Sequence, residues 1–519
     1  MALSSSTKTM PAKPTISFIF VVILILGLLI PISNAGGSDV KRLECLKVSS
    51  SDFRDSVHGV IDVLQHVSSI MSTLPIGRDF RLSNAIFDCL DLLDLSFDDL
   101  QLSSSATETP SGKKNGTGNL NSDLRTWLSA ALANPQTCME GLDGTKSMVD
   151  NLVSGLMSQM ISSIQQLLTQ VHHEPDELLT SKVQFPSWIK PRDQKLLESN
   201  KINADIIVAA DGTGTFTSVS DAVEAAPNYS MKRFVIYVKR GLYKESVDIK
   251  KKKWNIMMIG EGMDATVISG NRNFIDGWTT YRSATFAVSG RGFIARDITF
   301  QNTAGPQKHQ AVALRSDSDL SVFYRCGIYG YQDSLFTHTM RQFYRECTIK
   351  GTVDFIFGDA TAVFQKCLIL ARKGLPDQKN TVTAQGRKDP HEPTGFSFQF
   401  CKISADSDLL PFVGSTETYL GRPWRAFSRT VYMQSYMGYL VDPRGWLEWN
   451  GDESSLDTVF YAEYMNGGPG AALEKRVKWP GFYVLKDATQ AYQFTVADFI
   501  QGNLWLPHTG VMYTSGLSA

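Results

Sequence analysis

The apolar residues of this chain follow two different periods. Between about residues 40 and 175 they recur at three- and four-residue steps, as in Val60, Val63, Leu64, Val67, Ile70 and Met71, which is the spacing of one helix face. The segments Asn84–Leu100, Leu120–Leu132 and Gln136–Val171 behave the same way. Ser103–Gly118 between them is rich in Ser, Thr, Gly and Lys and reads as a loop. Four amphipathic helices with short connections predict an antiparallel bundle over residues 40–173. From Ala204 the pattern changes to short β-branched and aromatic runs punctuated by glycine, which predict strands.

The second half contains a repeat of the form aromatic-x-x-Cys-x-aliphatic. It occurs at Phe323–Ile328, Tyr344–Ile349, Phe364–Ile369 and Phe398–Ile403, with looser copies at Phe293–Ile298 and Tyr432–Met437. Successive starts lie 30, 21, 20, 34 and 34 residues apart. A short strand returning at coil spacing, with longer loops on some turns, predicts a stacked solenoid over residues 204–519. A right-handed parallel β-helix fits best, because a β-sandwich would not repeat one motif at that interval. Equivalent positions on adjacent coils lie about 4.8 Å apart, so either Cys326–Cys347 or Cys347–Cys367 can pair, not both. In the helical half Cys89 and Cys138 are the expected partners, with Cys45 left over.

Composition narrows the class. A chain of 519 residues exceeds one ordinary core and implies two or three domains. Residues 1–200 carry 16 basic and 21 acidic side chains, and residues 201–519 carry 35 and 31. Neither balance is basic enough for a nucleic-acid partner. Lys8 and Lys13 precede the apolar run Ile16–Ile32 and then Ser33-Asn34-Ala35, the layout of a signal peptide over residues 1–35, with an uncleaved signal anchor as the alternative. Both lead into the secretory pathway, where cysteines pair. Asn115 and Asn228 head sequons for glycosylation. Residues 174–203 form a linker whose Arg192-Asp-Gln-Lys195-Leu-Leu stretch is an exposed site for a protease.

The repeat also aligns chemistry. Asp333 lies ten residues after Phe323, and Asp354 ten after Tyr344. The same phase on neighbouring coils sets the two carboxylates about one strand spacing apart. Like charges that close resist joint ionisation, so one carboxyl is expected to hold a proton while the other stays charged. Asp354 sits in an apolar run, Gly351-Thr-Val-Asp-Phe-Ile-Phe-Gly358, and Asp333 follows Gln332, an amide donor for an oxyanion. No G-x-S-x-G, no H-E-x-x-H and no metal-ligand spacing of histidines occurs, so the expected site uses carboxylates without metal or cofactor.

Five segments resemble plant pectin methylesterases (pectinesterases), in the form that carries an N-terminal inhibitor-like pro-region. They are Gly241-Leu-Tyr-Lys-Glu245, Gln310-Ala-Val-Ala-Leu-Arg315, Gly330-Tyr-Gln-Asp-Ser-Leu335, the block around Asp354, and Leu420-Gly-Arg-Pro-Trp424. A weaker match surrounds Phe87-Asp-Cys-Leu90 and Trp127-Leu-Ser-Ala-Ala131. The resemblance implies hydrolysis of galacturonate methyl esters in cell-wall pectin, releasing methanol. It implies Asp354 as nucleophile, Asp333 as proton donor and then base, and Gln332 with Gln310 as oxyanion donors. Arg422 is implied to hold Asp354, Trp424 to offer a face to a sugar ring, and Thr280 to touch substrate. The family pattern also favours a Cys347–Cys367 bridge. It further implies a secreted, cell-wall location, a pro-region that inhibits before a subtilisin-like protease removes it, and pectinesterase inhibitor proteins as partners.

Three departures stand out. Asp359 occupies the family's usual Asn position and either adds a titrating group near Asp354 or faces solvent. Ser334 replaces Thr, and Gln194-Lys195 replaces two basic residues before Leu-Leu. Two other readings are a pectin lyase or polygalacturonase, which the Gln-Asp and Asp-Phe-Ile-Phe-Gly blocks oppose, and a polygalacturonate-binding protein whose bundle inhibits other pectinesterases.

Overall fold

The computed structural model describes residues 43–74, 79–108, 116–145, 148–172 and 203–518. The leader at 1–35, the sequon at Asn115 and nearly all of the 174–203 linker lie outside the described residues. No helix among the described residues is long and apolar enough to cross a membrane.

The first half is a four-helix unit: α1 Ser50–Thr73, α2 Phe80–Ala106, α3 Leu120–Asp143 and α4 Met148–Gln170. Ser49, Asp79 and Asn119 cap α1, α2 and α3 by accepting from backbone N–H groups three residues on. Phe53, Val57, Val60, Leu64, Val67 and Met71 form the buried stripe of α1. The expected break between Leu132 and Gln136 does not occur, because α3 runs through Pro135. Proline donates no N–H, so the carbonyl of Ala131 four residues back lacks its helical donor. Ser96 Oγ on α2 donates to that carbonyl at 3.1 Å instead. The expected Cys89–Cys138 disulfide joins α2 to α3.

The second half winds parallel strands into three sheets of eleven, seven and eight strands, the right-handed parallel β-helix. Each copy of the repeat covers two strands, not the one expected. Ser321–Tyr324 belongs to the eleven-stranded sheet and Gly327–Tyr329 to the eight-stranded one. The chain bends between them at the residue before each cysteine. Arg325, Glu346, Lys366 and Phe400 there have φ of 51°, 54°, 55° and 56°. Such left-handed geometry costs a non-glycine residue about 1–2 kcal/mol, and the long ladders on either side offset it.

Those ladders are the core. Phe323, Tyr344, Phe364, Phe398 and Tyr432 stack with successive centroids 4.9, 4.7, 4.5 and 4.6 Å apart. Ile328 lies opposite Ile349, which lies opposite Ile369 and then Ile403. The cysteines form a third ladder, and here the structure corrects an expectation. Cys326, Cys347, Cys367 and Cys401 are all free thiols, so no Cys347–Cys367 bridge forms. The cysteines sit just past the left-handed bend between two strands, where each sulfur faces a backbone carbonyl. Three of them donate instead to a carbonyl of the preceding coil, Cys347 to Phe323 O at 3.2 Å, Cys367 to Tyr344 O at 3.5 Å and Cys401 to Phe364 O at 3.3 Å, while Cys326 donates to Tyr324 O of its own coil at 3.5 Å. Burial pushes the Cys347 and Cys401 thiols up.

Candidate active site

The seven-stranded sheet carries the site at its strand entrances. Leu335–Thr337 pairs with Ile356–Gly358, with Leu335 opposite Ile356, so the residues two before each strand, Asp333 and Asp354, share one register on adjacent coils. Both adopt left-handed backbone, φ 60° and 51°, a region that Asp enters more readily than most residues. That kink lifts each carboxylate out of the strand alternation. Both side chains are buried.

Their surroundings differ sharply. Asp354 receives a two-pronged contact from Arg422, Nε to Oδ1 at 2.8 Å and Nη2 to Oδ2 at 2.7 Å, the strongest geometry for a carboxylate. Thr381 Oγ1 donates to Oδ1 at 2.6 Å and accepts from the Asp354 N–H at 2.8 Å. Arg422 in turn lies 4.3 Å over the Trp449 ring and donates to Asn450 Oδ1 at 3.3 Å. Burial works against its cation, but the bonds and charge of Asp354 outweigh it and leave Arg422 above its ordinary value. Asp333 has no such clamp. Burial, and then the neighbouring charge of Asp354, push its carboxyl well above the usual carboxylate range, with Arg422 opposing. One carboxylate is thus gripped and oriented by a guanidinium, and the other holds its proton.

Gln332 precedes Asp333 and is half-buried, its backbone carbonyl accepting from the Ala311 N–H at 3.3 Å. Gln310, one coil back, is also half-buried, and its carbonyl accepts from the Phe274 N–H at 2.9 Å. Neither side-chain amide has a protein partner among the described residues, so both are available to an oxyanion. Trp424 packs its edge on Phe357, centroids 5.9 Å apart, and Phe357 stacks on Phe336 at 4.2 Å. Thr280 starts the short turn Tyr281–Ser283, and its carbonyl accepts from Ser283 Oγ at 2.7 Å. Its strand, Phe286–Val288, lies two coils from that of Asp333, roughly 10 Å away. Thr280 bonds neither carboxyl of the dyad. Thr381 and Trp449 were not anticipated. Thr381 is in register with Asp354 but 27 residues on, because a loop inserted after Ala371 breaks the interval of about 20 residues.

Asp359 does not face solvent. Its Oδ1 accepts from Gln385 Nε2 at 3.1 Å and Thr394 Oγ1 at 2.6 Å, while Oδ2 and the neighbouring Glu392 Oε1 have no hydrogen-bond donor. Burial pushes Asp359 up to about 6, and burial with the Asp359 charge raises Glu392 further. The two carboxyls share a proton.

The helical unit lies over this face. Tyr281, Val312, Phe336, Phe357 and Ala384 of the seven-stranded sheet's surroundings join one apolar cluster with the bundle core, and Trp424 and Trp449 pack against it. Polar contacts ring that cluster. Arg282 donates to Asp88 at 2.6 Å, Arg341 to Asp123 at 2.7 Å and Gln165 to Asp389 at 3.1 Å, and Thr137 Oγ1 meets His338 Nε2 at 2.8 Å.

A parallel β-helix bearing two buried, in-register carboxylates, one of them clamped by arginine, defines a hydrolase built on a carboxylate pair. Residues 205–503 match the family described as Pectinesterase, and residues 46–171 the family described as Plant invertase/pectin methylesterase inhibitor. The chain is 61% identical to the pectinesterase/pectinesterase inhibitor PPE8B of Prunus persica, over 99% of this chain and 98% of that protein. It is 57% identical to the probable pectinesterase/pectinesterase inhibitor 44 of Arabidopsis thaliana, over 96% and 98%. The solved structure of pectin methylesterase from carrot superposes with a TM-score of 0.61 at 53% identity, covering 62% of this chain and all of that one. The chain belongs to the pectinesterase family, whose members are carboxylic-ester hydrolases, and carries an inhibitor-like N-terminal domain.

Proposed function

We propose that the β-helix half, residues 204–519, hydrolyses methyl esters of galacturonate units in pectin. The carrying observation is the unequal pair: Asp354 held by Arg422, Asp333 buried without a clamp. Asp354 attacks the ester carbonyl, and the amides of Gln332 and Gln310 donate to the oxyanion that develops, each such donor being worth about 2.7–4 kcal/mol. Asp333 passes its proton to the departing methoxy group, which leaves as methanol, and an acyl-enzyme anhydride remains on Asp354. Asp333, now ionised, takes a proton from water as that water attacks the anhydride. Free galacturonate leaves, and both carboxyls return to their starting states. Trp424 offers a flat face to a sugar ring, and Thr280, two coils off, contacts a more distant unit. The test is methanol release from methylated pectin by residues 203–519 produced alone; the carrot protein is a whole chain matched by 62% of this one, the share of the β-helix half. Asp354→Ala should abolish release, and unchanged release would sink the mechanism.

The precursor reading completes it. Residues 40–173 act as an inhibitory pro-region, supported by the cluster that joins the bundle to Phe336, Phe357 and Trp424 beside the dyad. Residues 1–35 act as a secretory leader, the 174–203 linker is cut by a subtilisin-like protease, and Asn115 and Asn228 carry glycans in the cell wall. The exposed position of Asn228 suits that modification. Separate pectinesterase inhibitor proteins would compete for the face the bundle covers.

A further inference from the structure

Several cations of the β-helix find carboxylate partners only in the helical unit. Arg425 is the clearest. Its guanidinium contacts Glu140 of α3, and no carboxylate of the β-helix half bonds it. Lys388 Nζ approaches the same Glu140 oxygen at 3.6 Å. Arg425 also lies over the Trp424 ring, 4.8 Å from its centroid, and burial pushes it down to about 10. With the helical unit in place Arg425 is half-buried, and a cation partly withdrawn from water is favoured by an anion seated beside it. The other end of the sheet repeats the arrangement, for both carboxylates of Arg282, those of Asp88 and Asp91, come from α2.

We propose that Arg425, with Lys388 beside it, forms a subsite for a free galacturonate carboxylate of the substrate chain, and that Glu140 fills this subsite in the full-length protein. The inference rests on the pectin reading above. The Trp424 ring supports the guanidinium from one face and leaves its N–H groups to meet a carboxylate, as they meet Glu140. Arg425 lies three residues past Arg422, which clamps Asp354, and its own guanidinium meets Glu140 and the Trp424 ring and neither carboxyl of the dyad. It therefore reads a neighbouring sugar, not the ester under attack. The enzyme half should favour esters flanked on that side by a demethylated unit.

The experiment compares kcat/KM of residues 203–519 on fully methylated pectin and on pectin with about half its esters removed. Arg425→Gln should cut the preference for the partly demethylated substrate roughly ten-fold, the size of one charge-assisted hydrogen bond, chiefly through KM. Arg425→Lys should keep most of it. Equal losses on both substrates, or an unchanged preference, overturns the subsite. Lys388→Gln supplies the same readout should Arg425→Gln fail to fold. Wild-type fragment that releases no methanol overturns the pectinesterase reading instead, so the two failures are distinct. In the full chain, Glu140→Gln and Arg425→Gln should lower the thermal midpoint non-additively, and additive shifts would remove Glu140 from the subsite.

Discussion

Two carboxyl pairs lie on neighbouring turns of the solenoid and behave differently. Asp333 and Asp354 lie on the face beneath the bundle; Asp359 is five residues beyond Asp354, and Glu392 comes from the loop after the next strand, Asn380–Gln385. Both pairs are buried, and both keep a proton. The difference lies in where the nearest guanidinium points. Arg422 bonds Asp354 itself through two nitrogens, which orients one member of the pair and leaves the other, Asp333, as the acid. Arg387, beside the second pair, donates to the backbone carbonyls of Glu392, Pro390 and Phe427 and leaves the carboxyls to share one charge. Proximity makes a carboxyl pair titrate abnormally, and an aimed cation gives its members separate tasks.

Substitutions at both sites sharpen that contrast. The largest effect is expected from Asp333→Asn in residues 203–519, which removes the proton donor and later base. Methanol release should fall by roughly 10²–10⁴-fold. Because Asp333 works from its protonated form with a raised pKa, wild-type kcat/KM should fall as pH rises through that value, and the variant should lose this alkaline limb. Arg422→Gln comes next. It removes the two-pronged contact that orients Asp354, so methanol release should fall, by less than for Asp333→Asn.

Asp359→Asn tests the second pair, and activity should change only a few-fold. Stability should respond more. The folded pKa is raised to about 6 from an ordinary value of 3.8, so the folded state holds a proton that the unfolded chain releases between them. Wild-type stability is therefore full below the ordinary value and is lost as pH rises through about 6. The variant should show a flatter thermal midpoint across that window and a midpoint a few degrees higher at pH 7. Ser96→Ala, outside both pairs, leaves the Ala131 carbonyl unpaired and should cost about 1 kcal/mol in urea unfolding, with no change in rate.

The spacing of the repeat carried most of this architecture. Counting ten residues from Phe323 and from Tyr344 reached both members of the dyad, because strands in register convert equal offsets into contact. The same counting missed Thr381, where an inserted loop breaks the interval. It also treated each repeat as one strand, since left-handed bends at Arg325, Glu346 and Lys366 carry no glycine to announce them. Pro135 hid the continuity of α3, because its compensating donor, Ser96, lies on another helix. A cysteine ladder is equally silent on whether its sulfurs bond one another or backbone carbonyls. Asp359 is buried by partners 26 and 35 residues further on, beyond any local pattern.

The Cys89–Cys138 bond acts as the rivet of a caliper. Cys89 adjoins Asp88, which grips Arg282 near one end of the sheet, and Cys138 lies two residues before Glu140, which grips Arg425 near the other. The crosslink thus holds the spacing between the two jaws that grip the enzyme half. Reduced, the jaws would still each find a cation, but the width of the grip would no longer be fixed.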